Sequence, residues 1–447
     1  MSRAQRGIFG AIARLLTAAR WHQRSLAALG IKLGLGIKLA LGVSLLSCTP
    51  HQTTKTTTIE FWGLGREGEV VAELVPEFEQ RYPHIKVDIQ QIPWTAAHEK
   101  LLTAHVGNSL PDVAQMGNTW IPEFTTIGAL ERLDRYPHMR ADYFPGIWET
   151  NVVDGVLFGI PWYVDTRVLF YRSDLIPTPP KTWSEWRAVM ERLRREQGKG
   201  FHPILLPTNE WPQPVILAVQ QGAPLVSGDA RANFSEPRFL EGFGFYVDLF
   251  RKGDAPVIAN SQIANIYQQF QEGEFAMWIT GPWNVGEMRR RWPAEWQDRW
   301  ATAPMPAPDG MSYPGASIAG GGSLVISRRS RKKDAAWKFI EFLSEPAQQV
   351  RFYQLSGNLP ARKSAWNAPA LADDDKIAAF RTQLDNTVAL PRLPEWEYIA
   401  TTIFEHGELA ARGQFDAKSA ARSLDTKVNR ILEKRRWVVA RHRGDAL

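Results

Sequence analysis

A strand–helix–strand rhythm at the start of the polar body limits this chain to the α/β class. Thr57-Thr58-Ile59-Glu60-Phe61-Trp62 has the β-branched and aromatic content of a strand. Val70, Val71, Leu74, Val75 and Phe78 then recur at helical spacing between Gly68 and Arg81. Tyr82-Pro83 stops that pattern, and Ile85-Lys86-Val87-Asp88-Ile89 alternates as a strand does. Two strands joined by one helix over so short a stretch pair in parallel, through a right-handed crossover. Further strands are expected at 112–116, 156–160, 168–171, 275–279 and 323–326, with helices over 183–193 and 335–343. Pro282 sits where a first-turn helix proline belongs, and Ser344-Glu345-Pro346 reads as the start of another helix. No internal repeat of fixed period is present.

Cys48 is the only cysteine, and it closes the run Leu45-Leu46-Ser47-Cys48. Ahead of it lie seven Lys and Arg, no Asp or Glu, and the apolar run 39–44, the layout of an export signal. The ending resembles the lipobox of bacterial lipoproteins, which implies cleavage before Cys48 and lipidation of its thiol. The alternative is an ordinary amphipathic leader with a chance cysteine. The charge-free run after Lys38 falls short of the ~20 residues a spanning helix needs. With one cysteine there is no internal disulfide, so export here does not mean a disulfide scaffold. The chain has 53 Lys and Arg against 47 Asp and Glu; without the seven leader cations the body has 46 against 47. The basic character therefore belongs to the leader and does not argue for nucleic-acid binding. Residues 1–47 are read as signal peptide and 48–57 as a lipid-anchored tether.

Gly63-Leu64-Gly65-Arg66-Glu67-Gly68 matches G-x-G-x-x-G between a strand and a helix, with Asp88 twenty residues on. That is the spacing of a dinucleotide fingerprint. Against it, Glu67 brings negative charge to where a pyrophosphate would sit, and Asp88 lies inside its strand pattern. A dinucleotide-binding oxidoreductase is thus the weaker alternative, beside a flexible strand-to-helix turn and a loop contacting a different ligand with Glu67 as acceptor.

Several segments, in order, resemble the extracellular solute-binding proteins of ABC importers, in the branch that carries sugars. They are Glu77-Phe78-Glu79-Gln80-Arg81-Tyr82-Pro83, Leu110-Pro111-Asp112-Val113-Ala114, Gly159-Ile160-Pro161-Trp162-Tyr163-Val164-Asp165, Pro180-Lys181-Thr182-Trp183, Gly273-Glu274-Phe275-Ala276-Met277-Trp278 with Gly281-Pro282-Trp283, Gly321-Gly322-Ser323-Leu324, and Gly357-Asn358-Leu359-Pro360. The chain looks closest to binders of maltose and trehalose. The resemblance implies a two-lobed, periplasmic-binding-protein-like α/β fold (type II) whose cleft closes over an α-glucoside, delivered to a membrane permease and its ATPase. It implies a monomer, no cofactor and no metal. Lobe I is expected to comprise 58–163 plus 302–344 and lobe II 164–301 plus 345–447, with crossings near Tyr163 to Thr166, Ala301 and Ser344.

A sugar offers hydroxyls and apolar C–H faces, so its site needs carboxylates, amides and aromatic platforms. By position in the family pattern the resemblance assigns ligand contacts to Glu67, Asp165, Trp283, Gly320, Gly321 and Arg392, with Asn118 and Thr119 after the third strand. Loop-borne Trp211 is a further candidate. His98 aligns softly with another contact, and Trp278 serves either as platform or as packing. Two positions depart from the pattern: Gly117 stands where relatives place an Asp, and Gly322 where they place an aromatic. An exported glycosidase would also gather acids and aromatics round a cleft, with two carboxylates about 5 to 9.5 Å apart, and stands as the alternative. No H-E-x-x-H, G-x-S-x-G or Walker motif is present, so those metalloprotease, serine-hydrolase and nucleotide chemistries have no signature here.

Overall fold

A computed structural model describes residues 56–134 and 137–437. Cys48 and the leader lie outside the described residues. The first strand, Thr57–Leu64, pairs in parallel with Ile85–Ile92 along its whole length, Thr57 opposite Ile85 and Leu64 opposite Ile92, and with Val113–Gly117 on its other side. The helix Gly65–Arg81 makes the crossover between the first two, burying Val70, Val71, Leu74 and Phe78 against the sheet. Two antiparallel strands, Gly320–Ile326 and then Ile160–Asp165, extend the sheet, and Leu359–Pro360 closes its edge as the sixth. A second sheet has four strands in the order Trp300–Ala303, Val168–Arg172, Met277–Thr280 and Ile204–Leu205. Together the sheets and their flanking helices make a two-lobed α/β protein.

The chain changes sheet between Asp165 and Val168, then between Ala303 and Gly320. A third change follows Pro360, because Leu359 still pairs with Val164 in the larger sheet. The segment after Ser344 therefore stays with lobe I. The helix Pro346–Ser356 packs on Gly65–Arg81, and Gly357, at φ 85°, takes the left-handed cap that turns the chain back into the sheet edge. Lobe II resumes at the helix Asp375–Leu384, which packs on Trp300–Ala303 and Val168–Arg172.

Lobe I is stapled by aromatic contacts. Phe78 meets Phe339 with ring centroids 5.0 Å apart, Phe339 meets Phe61 at 5.4 Å, and Trp162 lies 4.2 Å from Phe352. Lobe II has its own core beneath the helix Trp183–Gln197. That helix opens with a reciprocal cap between Thr182 and Glu185 and seats Trp183 4.3 Å from Phe245. Two late helices, Trp396–Ala411 and Ala417–Ile431, complete this lobe without having been expected. Among the described residues no helix is long and apolar enough to cross a membrane.

One contact in lobe II is close enough to test. The helix Pro237–Arg251 presses onto Pro212–Gln220 at Gly242, where an added Cβ would come within 2.2 Å of the Leu217 carbonyl oxygen. Gly244, two residues on, has open space around it. Gly242→Ala is expected to destabilise the protein by about 1–3 kcal/mol through overpacking. Gly244→Ala is expected to stabilise it, by up to about 1 kcal/mol, through helix propensity. Denaturant midpoints that move the same way for both would contradict this packing.

Candidate ligand-binding cleft

Parallel strands end together, so the loops beyond Leu64 and Gly117 open on one side of the larger sheet, where α/β proteins place ligands. A cavity of about 550 Å³ lies there, reaching across to lobe II.

The first strand runs into its helix through Gly65, at φ 53°. A Cβ on Gly63 would stand 2.5 Å from the Cα of Gly68, and one on Gly65 would stand 2.7 Å from the Trp94 ring. The glycines thus let strand, helix and indole approach one another. Glu67, on the first helical turn and only 8 % exposed, faces the cavity. Its carboxylate accepts from Trp94 Nε1 at 3.2 Å and from Asn358 Nδ2 at 3.0 Å. Burial pushes the carboxyl above its usual range, against the pull of those hydrogen bonds. A nucleotide phosphate would meet this acid.

After the third strand come Asn118, Thr119 and Trp120. Asn118 is 3 % exposed; its Oδ1 accepts from Ser323 Oγ at 2.8 Å, while its Nδ2 is buried without a partner. A Cβ on Gly117 would stand 3.3 Å from the Trp120 ring, which lies 5.6 Å from Trp94. An indole therefore takes the space beside position 117. Thr119 donates to Glu397 Oε1 at 2.6 Å, and Glu397 arrives on the lobe II helix Trp396–Ala411. Burial raises the Glu397 carboxyl as well, with the Thr119 bond opposing.

At the first crossing, Tyr163 Oη accepts from Gln115 Nε2 at 3.1 Å, and Gln115 Oε1 accepts from the Leu64 N–H at 2.8 Å. The Tyr163 ring lies 2.5 Å from where a Gly322 Cβ would be, and its carbonyl oxygen 2.2 Å from a Cβ on Gly321, whose φ is 139°. An aromatic thus fills the space at Gly322 from the neighbouring strand. Asp165 is ion-paired with Arg167, whose guanidinium stacks 4.6 Å over the Trp283 ring. Burial raises the Asp165 carboxyl, while the Arg167 charge and hydrogen bond lower it. Gly281 leaves room for the Trp283 ring, since a Cβ there would stand 2.0 Å from it. Trp211 enters from lobe II, edge-on to Trp396 at 5.5 Å.

Glu67, Asn118, Thr119, Asp165, Trp211, Trp283, Gly320 and Gly321 all line this cavity. Three other residues proposed from sequence do not. Arg392 Nη1 donates to the Glu149 and Val152 carbonyl oxygens, each at 3.2 Å, and is spent bridging that loop. His98 stands behind Trp120, 5.2 Å between centroids, with Nε2 2.7 Å from Glu123. Trp278 is buried against Phe170 and Tyr267. Trp94, Trp120, Arg167, Glu287, Asn358 and Glu397 are lining residues that sequence reasoning missed. Pro93 before Trp94, the strand end before Trp120 and the family segment Gly357-Asn358-Leu359-Pro360 were usable signals; Glu397 had none.

Three cavity carboxyls with raised values make the folded state bind protons more tightly than the unfolded chain. Stability of the unliganded protein should therefore fall as pH rises from the ordinary carboxylate range towards neutrality. Glu67→Gln removes one such contribution, and Asn358 can turn its amide to meet the new side chain. The expected result is a higher melting temperature at neutral pH and a shallower decline across that window. Thermal melts over a pH series check this, and a slope equal to or steeper than that of the native protein would contradict it.

Known proteins match this architecture and sequence over most of the chain. The bacterial extracellular solute-binding protein family matches residues 62–350. The sugar-binding protein MalE of the phytopathogen Xanthomonas citri is 46% identical, covers 86% of this chain and 99% of its own, and superposes with a TM-score of 0.80. A maltotriose-binding protein of Pyrococcus abyssi is 23% identical over 74% of this chain and 71% of its own. A maltooligosaccharide ABC transporter solute-binding lipoprotein of Streptococcus pneumoniae is 22% identical over 81% of this chain and 86% of its own. With its two main sheets, its interlobe cavity and this match over most of the body, the chain belongs to the bacterial extracellular solute-binding protein family.

Proposed function

We propose that this protein is the sugar-capturing component of an ABC importer, taking a di- or oligosaccharide of the α-glucoside class, such as maltose or trehalose, into the interlobe cavity. The observation that carries this reading is the meeting of Glu67, Asp165 and Glu397 with Trp94, Trp120, Tyr163 and Trp283 around one space. Carboxylates accept from sugar hydroxyls, indole and phenol rings cover the apolar sugar faces, and the unpartnered Asn118 amide supplies a donor. A volume of about 550 Å³ lies within the range of small-ligand sites. The Xanthomonas citri sugar-binding protein and the two maltooligosaccharide binders point the same way.

Loading closes the lobes by a hinge motion about the crossing segments, and the closed form is what a permease with its ATPase receives. The protein works as a monomer, held to the membrane by lipid on Cys48, and does not bind nucleic acid. It binds without chemistry. A glycosidase needs one carboxylate free to attack or to activate water. Glu67 is tied to Trp94 and Asn358, Asp165 to Arg167, and Glu397 to Thr119.

A thermal-shift screen over disaccharides tests the ligand class, since a ligand that binds only the folded state raises the melting temperature. No shift with any α-glucoside would sink it. Free glucose released from maltose or trehalose would identify an enzyme instead. Trp283→Ala is expected to weaken sugar binding at least about thirtyfold, or ~2 kcal/mol, and Asp165→Ala at least about tenfold. Both variants should keep the native circular dichroism. Unchanged affinity in both by titration calorimetry would remove the cavity from consideration.

A further inference from the structure

Lobe I ends, away from the cleft, in a concentration of cations that the cavity does not use and the fold pairs only in part. The run Ser327-Arg328-Arg329-Ser330-Arg331-Lys332-Lys333 has five cations in its last six positions. Lys332 is paired with Asp112 at 2.9 Å and Lys333 with Glu131 at 2.7 Å. Arg328, Arg329 and Arg331 are exposed, and among the described residues none of them is in an ion pair; Arg329 donates to the neutral Asn108 Oδ1 at 2.6 Å. Lys338 adds a further cation above the Tyr82 ring. Glu60 and Asp334 border the patch, leaving an excess of positive charge on a body that is otherwise close to neutral.

Its position is informative. The patch gathers at the N-terminal ends of the parallel strands, where Thr57 and Ile85 share a hollow with Arg331, Lys333 and Lys338. The cavity lies past the opposite ends of those strands, at about 3.3 Å per residue some 25 Å away. The chain therefore enters the body through the patch, where the Thr57 N–H donates to the His84 carbonyl at 2.8 Å. Cys48 precedes Thr57 by nine residues, at most about 32 Å of extended chain.

We propose that this pole of lobe I docks on a membrane surface bearing anionic phospholipid headgroups. The inference rests in part on the lipid anchor proposed above, whose tether lets the patch reach within a Debye length of about 8–10 Å of the surface, where the charges attract. Each exposed Arg near such a surface strengthens binding severalfold. Docked by this pole, the body holds the sheet between the membrane and the cleft, leaving the cavity mouth clear of the headgroups.

The described residues contain both sheets and their cores, so the anchorless body, residues 49–447, folds on its own and isolates the patch from the anchor. Its co-sedimentation would be measured with phosphatidylcholine vesicles, with and without about one third phosphatidylglycerol. At low salt the anionic vesicles are expected to bind it at least about tenfold more strongly, and raised salt should abolish the difference. The triple substitution Arg328→Gln, Arg329→Gln and Arg331→Gln should remove that preference while leaving the affinity for sugar unchanged. Equal binding to both vesicles, or a preference that survives the triple substitution, overturns the proposal. So does retention on heparin through the same three residues without vesicle binding, which would assign the patch to another polyanion. Because no anchor is present, failure here leaves the Cys48 reading standing; that reading fails separately if Cys48→Ser in the full chain leaves its membrane fraction unchanged.

Discussion

Burying one carboxylate at the head of the first helix organises the cleft around it. Glu67 is drawn out of water, and a charge in that position is tolerable only with hydrogen bonds on both oxygens. Trp94 supplies one and Asn358 the other. One donor comes from the helix that follows the second strand and the other from a loop 291 residues downstream. Meeting those two demands fixes the Trp94 indole against Gly65, and Trp94 in turn sets Trp120. It also anchors the Gly357 turn, hence the last strand of the larger sheet. A polar requirement on one side chain is thereby transmitted to the aromatic walls and to the hinge.

The parallel opening of the sheet was legible because it is local. Apolar period, a Tyr-Pro stop and an alternating strand within one short stretch leave little choice of pairing. The crossing expected near Ser344 was displaced because nothing short-range shows that the helix Pro346–Ser356 lies against Gly65–Arg81. Gly117 and Gly322 looked like losses of a carboxylate and an aromatic when read one position at a time. In space Trp120 sits beside the first and Tyr163 under the second, from different positions in the chain. Glu397 gave no signal at all, since a lone acid on a late helix has no pattern to betray its neighbours, and Asn358 stood in a family segment that said nothing of its bond to Glu67. Arg392 carried the opposite lesson: a family position was kept, but the carbonyl groups beside it claim the guanidinium.

Charge is segregated along the body rather than spread over it. Acids gather at the cavity, where Glu67, Asp165, Glu287 and Glu397 outnumber Arg66 and Arg167, while cations crowd the far pole. A neutral sugar gains hydrogen bonds in such a cleft without a competing net charge of its own, whereas a phosphorylated or uronic sugar meets repulsion.

The strand Gly320–Ile326 stands in the middle of the larger sheet, between Val113–Gly117 and Ile160–Asp165. Those two flanking strands have no direct ladder with each other, so the sheet stays in two unjoined pieces until the central strand has left the ribosome. By then some three-quarters of the chain has been made. Pairings this distant in sequence form slowly. The order of the strands therefore postpones the joined sheet, and with it the cleft, until most of the chain has been made.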